Sequence, residues 1–298
     1  MSYRPNPMST PVDDPAHATS WNCPSCGSPT SSAYCPACGE RRWSERDLTF
    51  RHLFEQLLEG MIHFDSRLLR TALTLVAAPG RLTTAYLEGC HRQYVAPFNL
   101  FLVANVVSFL VQALSGWGVF AISLSEHLGG QTYRTLAQRW VTGHLAARGM
   151  TMDQYAPIFD HAGSLYAKSL VMVMLPFFAI AVGLLFVDRR KVAVAHLVFA
   201  VHYYAYLLVF LSVFFPVVAV VVWLWSRLGL PWNAGLLDWS AMSVEGIVCL
   251  VYLARAVTVV YGAGLIRRWL SAGLLTVATL YILWVYRFVL FVITLWST

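Results

Sequence analysis

Five long apolar stretches follow one another through the C-terminal two thirds of the chain. They cover residues 98–120, 167–187, 192–224, 241–265 and 271–296. A helix needs roughly 20 residues to cross a bilayer core of about 30 Å, and each stretch is long enough to do so. The pattern therefore predicts a mainly α fold, in which residues 97–298 form a polytopic α-helical membrane domain with about five spans. The third stretch is over-long, so either Pro216 breaks or kinks it or its ends project beyond the lipid.

The segment before the first span, residues 47–96, carries the periodicity of amphipathic helices. In its first part, apolar residues recur at the spacing of one helix face. They are Phe50, Leu53, Phe54, Leu57, Leu58, Met61 and Ile62. A second helix is predicted after Asp65 and ends at Pro79-Gly80, which is a strong stop signal. Its inward-facing residues are predicted to be Leu68, Leu69, Ala72, Leu75 and Val76.

These two helices, and a short third one that ends near Leu87, are too polar to span a bilayer. Two placements are open for them. They lie either in the plane of the inner headgroups against anionic lipid, or on the ends of the protein's own spans. A further amphipathic pattern, around Tyr133, Leu136 and Trp140, falls in the predicted loop between the first two spans.

The composition supports lipid as the main solvent of the chain. Its 298 residues are 58% hydrophobic and only 12% charged, whereas soluble domains have about 25% charged residues. Residues 1–20 are rich in Pro, Ser and Asp, which is typical of a disordered tail rather than a signal peptide. Of the 21 Lys and Arg residues, fourteen fall on the N-terminal side of the predicted topology and five on the opposite side. The positive-inside rule therefore predicts a cytoplasmic N-terminus.

Four of the six cysteines form two copies of one motif. CPSCG begins at Cys23 and CPACG begins at Cys35, so that the second thiols are Cys26 and Cys38. The glycine after each pair admits the left-handed backbone that turns amides toward the sulfurs. Two such knuckles supply four thiolates for tetrahedral zinc and leave no coordination position open. The sequence therefore predicts a structural zinc ribbon over residues 21–43, with iron as the main competing metal.

A ribbon of this kind can contact either nucleic acid or protein. The basic residues that follow it, Arg41, Arg42 and Arg46, are few and lead directly into the membrane segment. Nucleic acid is therefore disfavoured as a partner, because its recognition usually needs a wider basic patch. A folding role, or contact with a cytoplasmic protein, is the favoured interpretation.

Five ionisable residues inside the predicted spans form a candidate polar site, because such residues are costly in lipid and often functional. They are His196, His202, Glu245, Arg255 and Arg287. Glu245 and Arg255 are ten residues apart and do not share a helix face. Arg255 then needs another helix, a lipid phosphate or a water-filled cavity, whereas Glu245 is a candidate partner for Arg287. The two histidines lie on different faces, and hydrogen bonds between helices are the commoner role for such residues.

Longer motifs resemble a known family. HFDSRLLRTALTLVAAPGRLTTAYLEG, from His63 to Gly89, precedes RQYVAPFNLFL at the first span. LPFFAIAVGLLFVDRRK, HLVFAVHYYAYLLVFL and VVYG follow in the later spans. Together with the CPxCG pair, these motifs resemble the bacterial membrane proteins grouped as domain-of-unknown-function family number 3667. The resemblance implies a cytoplasmic zinc ribbon, an interfacial segment and several spans in a bacterial inner membrane, and it brings no assigned activity.

The chain departs from the family pattern at Cys90-His91, where two basic residues are expected, and this weakens the case for a basic lipid-binding patch there. The leading hypothesis is a non-enzymatic scaffold, sensor or assembly factor whose ribbon contacts a cytoplasmic partner. The first alternative is a transporter or lipid-handling protein that uses the intramembrane Arg, Glu and His residues. The second is an intramembrane enzyme that uses His196, His202 or Asp160, although the known catalytic motifs are absent.

Overall fold

The computed structural model describes residues 20–42, 49, 66–115, 120–189, 191–228 and 234–298. The predicted tail and the predicted helix over residues 50–62 lie outside these ranges. The strands are β1 (Trp21–Asn22) and β2 (Pro29–Thr30). The helices are α1 (Ser66–Ala77), α2 (Arg81–Leu87), α3 (Pro97–Ser115), α4 (Leu124–Gly129), α5 (Arg134–Arg148), α6 (Met152–Leu185), α7 (Ala193–Arg227), α8 (Ala234–Tyr261) and α9 (Leu265–Ser297).

Five of the described helices, α3, α6, α7, α8 and α9, are long and apolar enough to cross a membrane. This confirms the predicted fold class. Helix α6 begins well before the predicted start of its span, because Thr151 and Gln154 form a capping box at its N-terminus. Helix α7 continues through Pro216, so this proline does not break the helix; a kink there, and the projection of the helix ends beyond the lipid, stay predictions. Neighbouring helices and local adjustment commonly satisfy the backbone around a proline within a membrane helix.

The first half of α7 lies at the centre of the bundle. Nearly every residue from Val194 to Leu208 is buried, and α3 and α6 both pack along it. Aromatic rings fill the contacts, since Tyr203 stacks on Phe178 of α6 with ring centroids 4.7 Å apart. Helix α9 packs against both α6 and α8. The second half of α7 has many exposed apolar side chains, as expected for a surface solvated by lipid.

The two ends of the bundle carry different structures. At one end lie the ribbon, α1, α2 and the short loops that follow α6 and α8. Arg267, in the first turn of α9, links this helix to the loop after α6, because its guanidinium donates hydrogen bonds of 2.7 and 2.5 Å to the carboxylate of Asp188. At the other end, α4 and α5 pack on the start of α6 and the end of α9 around Tyr133, Phe159 and Phe291. The cytoplasmic position of the ribbon end stays a prediction.

Helices α1 and α2 form a hairpin against the ribbon end of the bundle. Helix α2 packs on α7 and α8, and its residues Leu82 and Tyr86 are buried. In α1, Leu75 is buried, but Leu69 and Val76 are exposed, so the prediction that these two face inward is wrong. Helical periodicity locates an apolar stripe, but it does not say which flank of a wide stripe contacts the protein.

The corner between α1 and α2 lies close against the backbone of a membrane helix. Gly80 has φ +87°, and a Cβ there would lie 2.9 Å from the carbonyl oxygen of Ala256 in α8. We expect Gly80→Ala to destabilise the protein, because it combines left-handed strain of about 1–3 kcal/mol with a backbone clash. The melting temperature in detergent measures this. Gly149→Ala is the matched control, since Gly149 has φ +63° with nothing within 4 Å; equal shifts for the two variants would contradict the packing argument.

Candidate metal centre

The four motif cysteines lie on two turns with the same backbone hydrogen bonds. In the first turn, Gly27 N donates to Cys23 O and Cys23 N donates to Ser28 O, at 2.8 and 3.0 Å. The second turn repeats this pattern between Cys35 and the residues that follow it, at 2.7 and 2.7 Å. The glycines have φ +75° and +73°, values that favour glycine over other residues. Each CPxCG copy therefore folds locally into a knuckle, and the antiparallel pairing of β1 with β2 closes the first of the two.

The knuckles bring the four thiols into one cluster. The Sγ atoms of Cys23 and Cys38 are 3.4 Å apart, those of Cys26 and Cys35 are 3.5 Å apart, and all four lie within 4.8 Å of one another. A tetrahedral ion with bonds of about 2.3 Å needs sulfur atoms about 3.8 Å apart. The described residues contain no other group of three or more His, Cys, Asp or Glu ligand atoms this close together. The cluster fits a four-coordinate metal ion.

Hydrogen bonds and burial shift the pKa values of two cluster thiols in opposite directions. Hydrogen bonds from the side chain and backbone of Ser28 lower the pKa of Cys26 to about 6. The backbone N–H of Glu40 favours the Cys38 thiolate, but desolvation and hydrogen bonds with the neighbouring thiols outweigh it and raise the pKa of Cys38 to about 12. A divalent cation that binds the cluster therefore displaces the proton of Cys38, because thiols bind metal as thiolates.

A single carboxylate joins the two knuckles to the membrane domain. Glu40 follows the second knuckle and is 3% exposed. Its Oε2 accepts hydrogen bonds from Ser25 Oγ at 2.6 Å, from His91 N at 3.1 Å and from Arg92 N at 2.9 Å. Ser25 belongs to the first knuckle, whereas His91 and Arg92 lie in the loop between α2 and α3. Glu40 therefore connects three separate segments of the chain.

Further contacts surround this carboxylate. Cys90 Sγ donates to Pro24 O at 3.1 Å, and Gln93 Nε2 donates to Ser25 O. The ring of His91 packs edge-on against Tyr86 with centroids 4.8 Å apart. Tyr86 in turn packs with residues near the start of α7. The ribbon is thus connected to the bundle through packed side chains, and the Cys90-His91 pair that departs from the family pattern lies at this junction.

The two candidate histidines have separate partners on different elements. His196 Nδ1 is 2.9 Å from Tyr261 Oη at the end of α8. His202 Nδ1 is 3.0 Å from Thr83 Oγ1 in α2. Both histidines are buried. These contacts match the expectation that each histidine hydrogen-bonds between helices.

The Thr83–His202 hydrogen bond supports a specific stability prediction. We expect Thr83→Val to destabilise the protein by about 1–3 kcal/mol, because it leaves a buried ring nitrogen without its partner. Thr84→Val is the matched control, since the Thr84 hydroxyl bonds only to carbonyls of its own turn. Thermal unfolding in detergent compares the two variants. Equal melting temperatures would show that the hydrogen bond contributes nothing to stability.

The charged candidates lie at different depths. Glu245 and Arg287 are within electrostatic range of each other, and Glu126 and Tyr133 of the opposite end also interact with Arg287. His127 on α4 lies beside this group with its Nδ1 2.7 Å from Tyr133 Oη. Burial, and secondarily the Arg287 charge, lowers the pKa of His127 to about 4, so this ring is neutral at pH 7. The group therefore lies where α9 meets the helices opposite the ribbon.

Arg255 lies apart from that group. It is exposed on α8, about 15 Å along the helix axis from Glu245. Asp160, a candidate for an enzymatic role, accepts the backbone N–H of Leu124 through Oδ1 at 2.7 Å. This hydrogen bond fixes the N-terminus of α4 to α6.

Sequence reasoning missed Glu40 and the loop that binds it. Glu40 is the only acidic residue in residues 20–42, and its isolation beside a metal knuckle was the available signal. Thr83 was also missed. Nothing local distinguishes it from Thr84, because the distinction depends on which helix face meets α7.

The fold and the cysteine cluster define a polytopic helical membrane protein with a four-cysteine site that fits a metal ion. A family model described as Protein of unknown function (DUF3667) matches residues 65–109. The match includes α1, α2, most of α3 and the loop that holds the ribbon, and it supports the family resemblance. No curated protein and no solved structure matches the chain.

Proposed function

We propose that this chain is a non-enzymatic protein of a bacterial inner membrane, acting as a scaffold, sensor or assembly factor. In this proposal the four cysteines hold zinc as a structural ion, and the ribbon contacts a cytoplasmic protein. The observation that carries the proposal is the attachment of the ribbon through Glu40. A module fixed to the bundle on one side presents its opposite side at a constant position relative to the membrane.

The ligand set supports a structural ion. Four thiolates complete a tetrahedral shell, whereas catalytic zinc sites keep a position for water or substrate. Zinc suits this set because it binds thiolates well and accepts tetrahedral geometry without a redox change.

The exposed side of the ribbon, which faces away from the Glu40 attachment, supports a protein contact. Residues 31–34, which connect the two knuckles, are exposed, as are Pro36, Ala37, Arg41 and Arg42. Tyr34 is 59% exposed and pairs through its backbone with Arg41. Tyrosine and arginine are enriched among the residues that dominate protein interfaces. The proposed partner therefore carries an apolar pocket with acidic residues around it.

Site-specific photocrosslinking in the native membrane tests this proposal. A benzophenone amino acid at Tyr34 is expected to form one discrete protein adduct. The same probe at Leu136, which is partly exposed on α5 at the opposite end, serves as the control position. The Tyr34 adduct is expected to disappear when Cys23→Ser and Cys35→Ser unfold the ribbon. An adduct that persists in that variant, or no protein adduct at Tyr34, would contradict the proposal.

A further inference from the structure

Helix α1 has an apolar face that the described protein does not cover. Leu69, Leu73 and Val76 follow one another at helical spacing and are 67, 62 and 51% exposed. The opposite side of α1 contacts the bundle, where Leu75 and Thr71 are buried. Exposed apolar faces of this kind mark surfaces that bind a membrane, another protein or a ligand.

The depth of the hairpin corner indicates what covers this face. A Cβ at Gly80 would lie 2.9 Å from Ala256 O and 3.0 Å from Val259 Cβ, so Gly80 lies close against α8, at residues inside the candidate span Ser240–Tyr261. Ala256 is five residues from the end of that span, so the corner lies about 7–8 Å below the helix end. Amphipathic interfacial helices insert about 5–10 Å into the boundary between headgroups and acyl chains. With the end of α8 taken as the membrane surface, the corner of the hairpin reaches the depth at which apolar side chains meet lipid.

The exposed surface of α8 continues beside the same corner. Val251, Arg255 and Val259 are exposed and lie four residues apart, on one face. Within the residues that the structure describes, the Arg255 side chain has no hydrogen bond or ion pair. A cation about 9 Å inside the helix end is costly in lipid, and a long side chain that reaches the headgroups reduces this cost. The exposure of Arg255 without a described protein partner favours an anionic group at the membrane surface as its partner.

We propose that the α1–α2 hairpin inserts into the ribbon-side leaflet, where phospholipid covers Leu69, Leu73 and Val76 and Arg255 holds the phosphate of an anionic lipid. Two features support lipid as the occupant. The face of α1 leads to the lipid-facing side of α8 through the contact at Gly80, and the hairpin also carries exposed arginines at positions 70 and 81. Basic residues beside an apolar face favour anionic membranes.

Photocrosslinking of the full chain in nanodiscs tests this surface. The discs contain equal amounts of phosphatidylethanolamine and phosphatidylglycerol. A benzophenone amino acid at Val76 is expected to form phospholipid adducts, detected by mass spectrometry. The same probe at Tyr34 is the matched control, because Tyr34 is 59% and Val76 51% exposed, but only Val76 is placed at membrane depth. Comparable lipid labelling at the two positions would overturn the proposal.

The headgroup of the adduct tests the role of Arg255. At Val76, phosphatidylglycerol adducts are expected to outnumber phosphatidylethanolamine adducts about five-fold, since one basic residue near the surface is worth about that factor. Arg255→Gln is expected to lower this ratio by up to about five-fold, whereas Arg139→Gln, at an exposed arginine of α5, leaves the ratio unchanged. An unchanged ratio in Arg255→Gln would overturn the arginine assignment. Crosslinks from Val76 to residues 43–65 of the chain itself, instead of lipid, would overturn the occupant.

Discussion

Replacing both buried ligands, Cys23 and Cys35, with serine is expected to remove the metal and unfold residues 20–42 while the five-helix bundle stays folded. In zinc-finger peptides the metal supplies about 10–16 kcal/mol of apparent binding free energy, which is also folding free energy. This ribbon has little else to stabilise it, because its two strands have two residues each. Elemental analysis of the purified full chain measures the metal. We expect it to fall to background, with new protease cleavage within residues 20–42 and an unchanged helical circular dichroism signal.

Cys90→Ser is the matched control for this loss. The Cys90 thiol lies beside the ribbon and donates to Pro24 O, but it is not one of the four clustered thiols. We therefore expect the Cys90 variant to keep its metal. Stoichiometric metal in the Cys23/Cys35 double variant would contradict the four-thiolate site, and metal loss in the Cys90 variant would mean that the ligand set is wrong. Elemental analysis of the unsubstituted protein also shows whether the bound metal is zinc or iron.

The spans were predictable because crossing a bilayer depends on length and hydropathy, which are local properties of the sequence. The start of α6 was not, because residues 152–166 carry enough polar side chains to resemble a loop, and the helix is extended there by packing. Tyr155 and Phe159 are buried against Phe291 and Leu295 of α9. The continuity of α7 through Pro216 has a related cause. A proline rule derived from soluble helices underestimates the stability of a helix that lipid surrounds.

The metal ligands were predictable because the spacing within CPxCG and the glycine that follows determine each knuckle locally. The attachment of the ribbon was not, since Glu40 bonds to residues about 50 positions away in sequence. The same holds for His196 and His202. Their burial and hydrogen bonding were expected from residue type and depth, but their partners Tyr261 and Thr83 follow only from how α7 packs against α8 and α2.

Glu40→Gln is expected to free the ribbon from the bundle without releasing the metal. One oxygen of Glu40 accepts three hydrogen bonds, and bonds to a charged acceptor are worth about 1.5–3 kcal/mol each. A glutamine keeps the shape but loses the charge. It also places an amide donor near backbone N–H groups, which are donors themselves. A net loss of about 3 kcal/mol would raise the fraction of molecules in which the ribbon is detached from the bundle roughly 100-fold.

Hydrogen exchange at the amide of Arg92 reports this opening most directly, because Glu40 is its acceptor, whereas the His91 amide donates to Gly89 O as well as to Glu40. We expect exchange of the Arg92 amide in Glu40→Gln to accelerate roughly 100-fold, and that of the His91 amide to accelerate less. The metal content stays unchanged, since the four thiols and the knuckle turns are intact. Glu88→Gln removes a charge from an exposed carboxylate at the end of α2 and is expected to leave both amides protected. Unchanged exchange in Glu40→Gln would mean that the ribbon is held by the contacts of Cys90 and Gln93 instead. Metal loss in that variant would place Glu40 in the folding of the knuckles rather than in their attachment to the membrane domain.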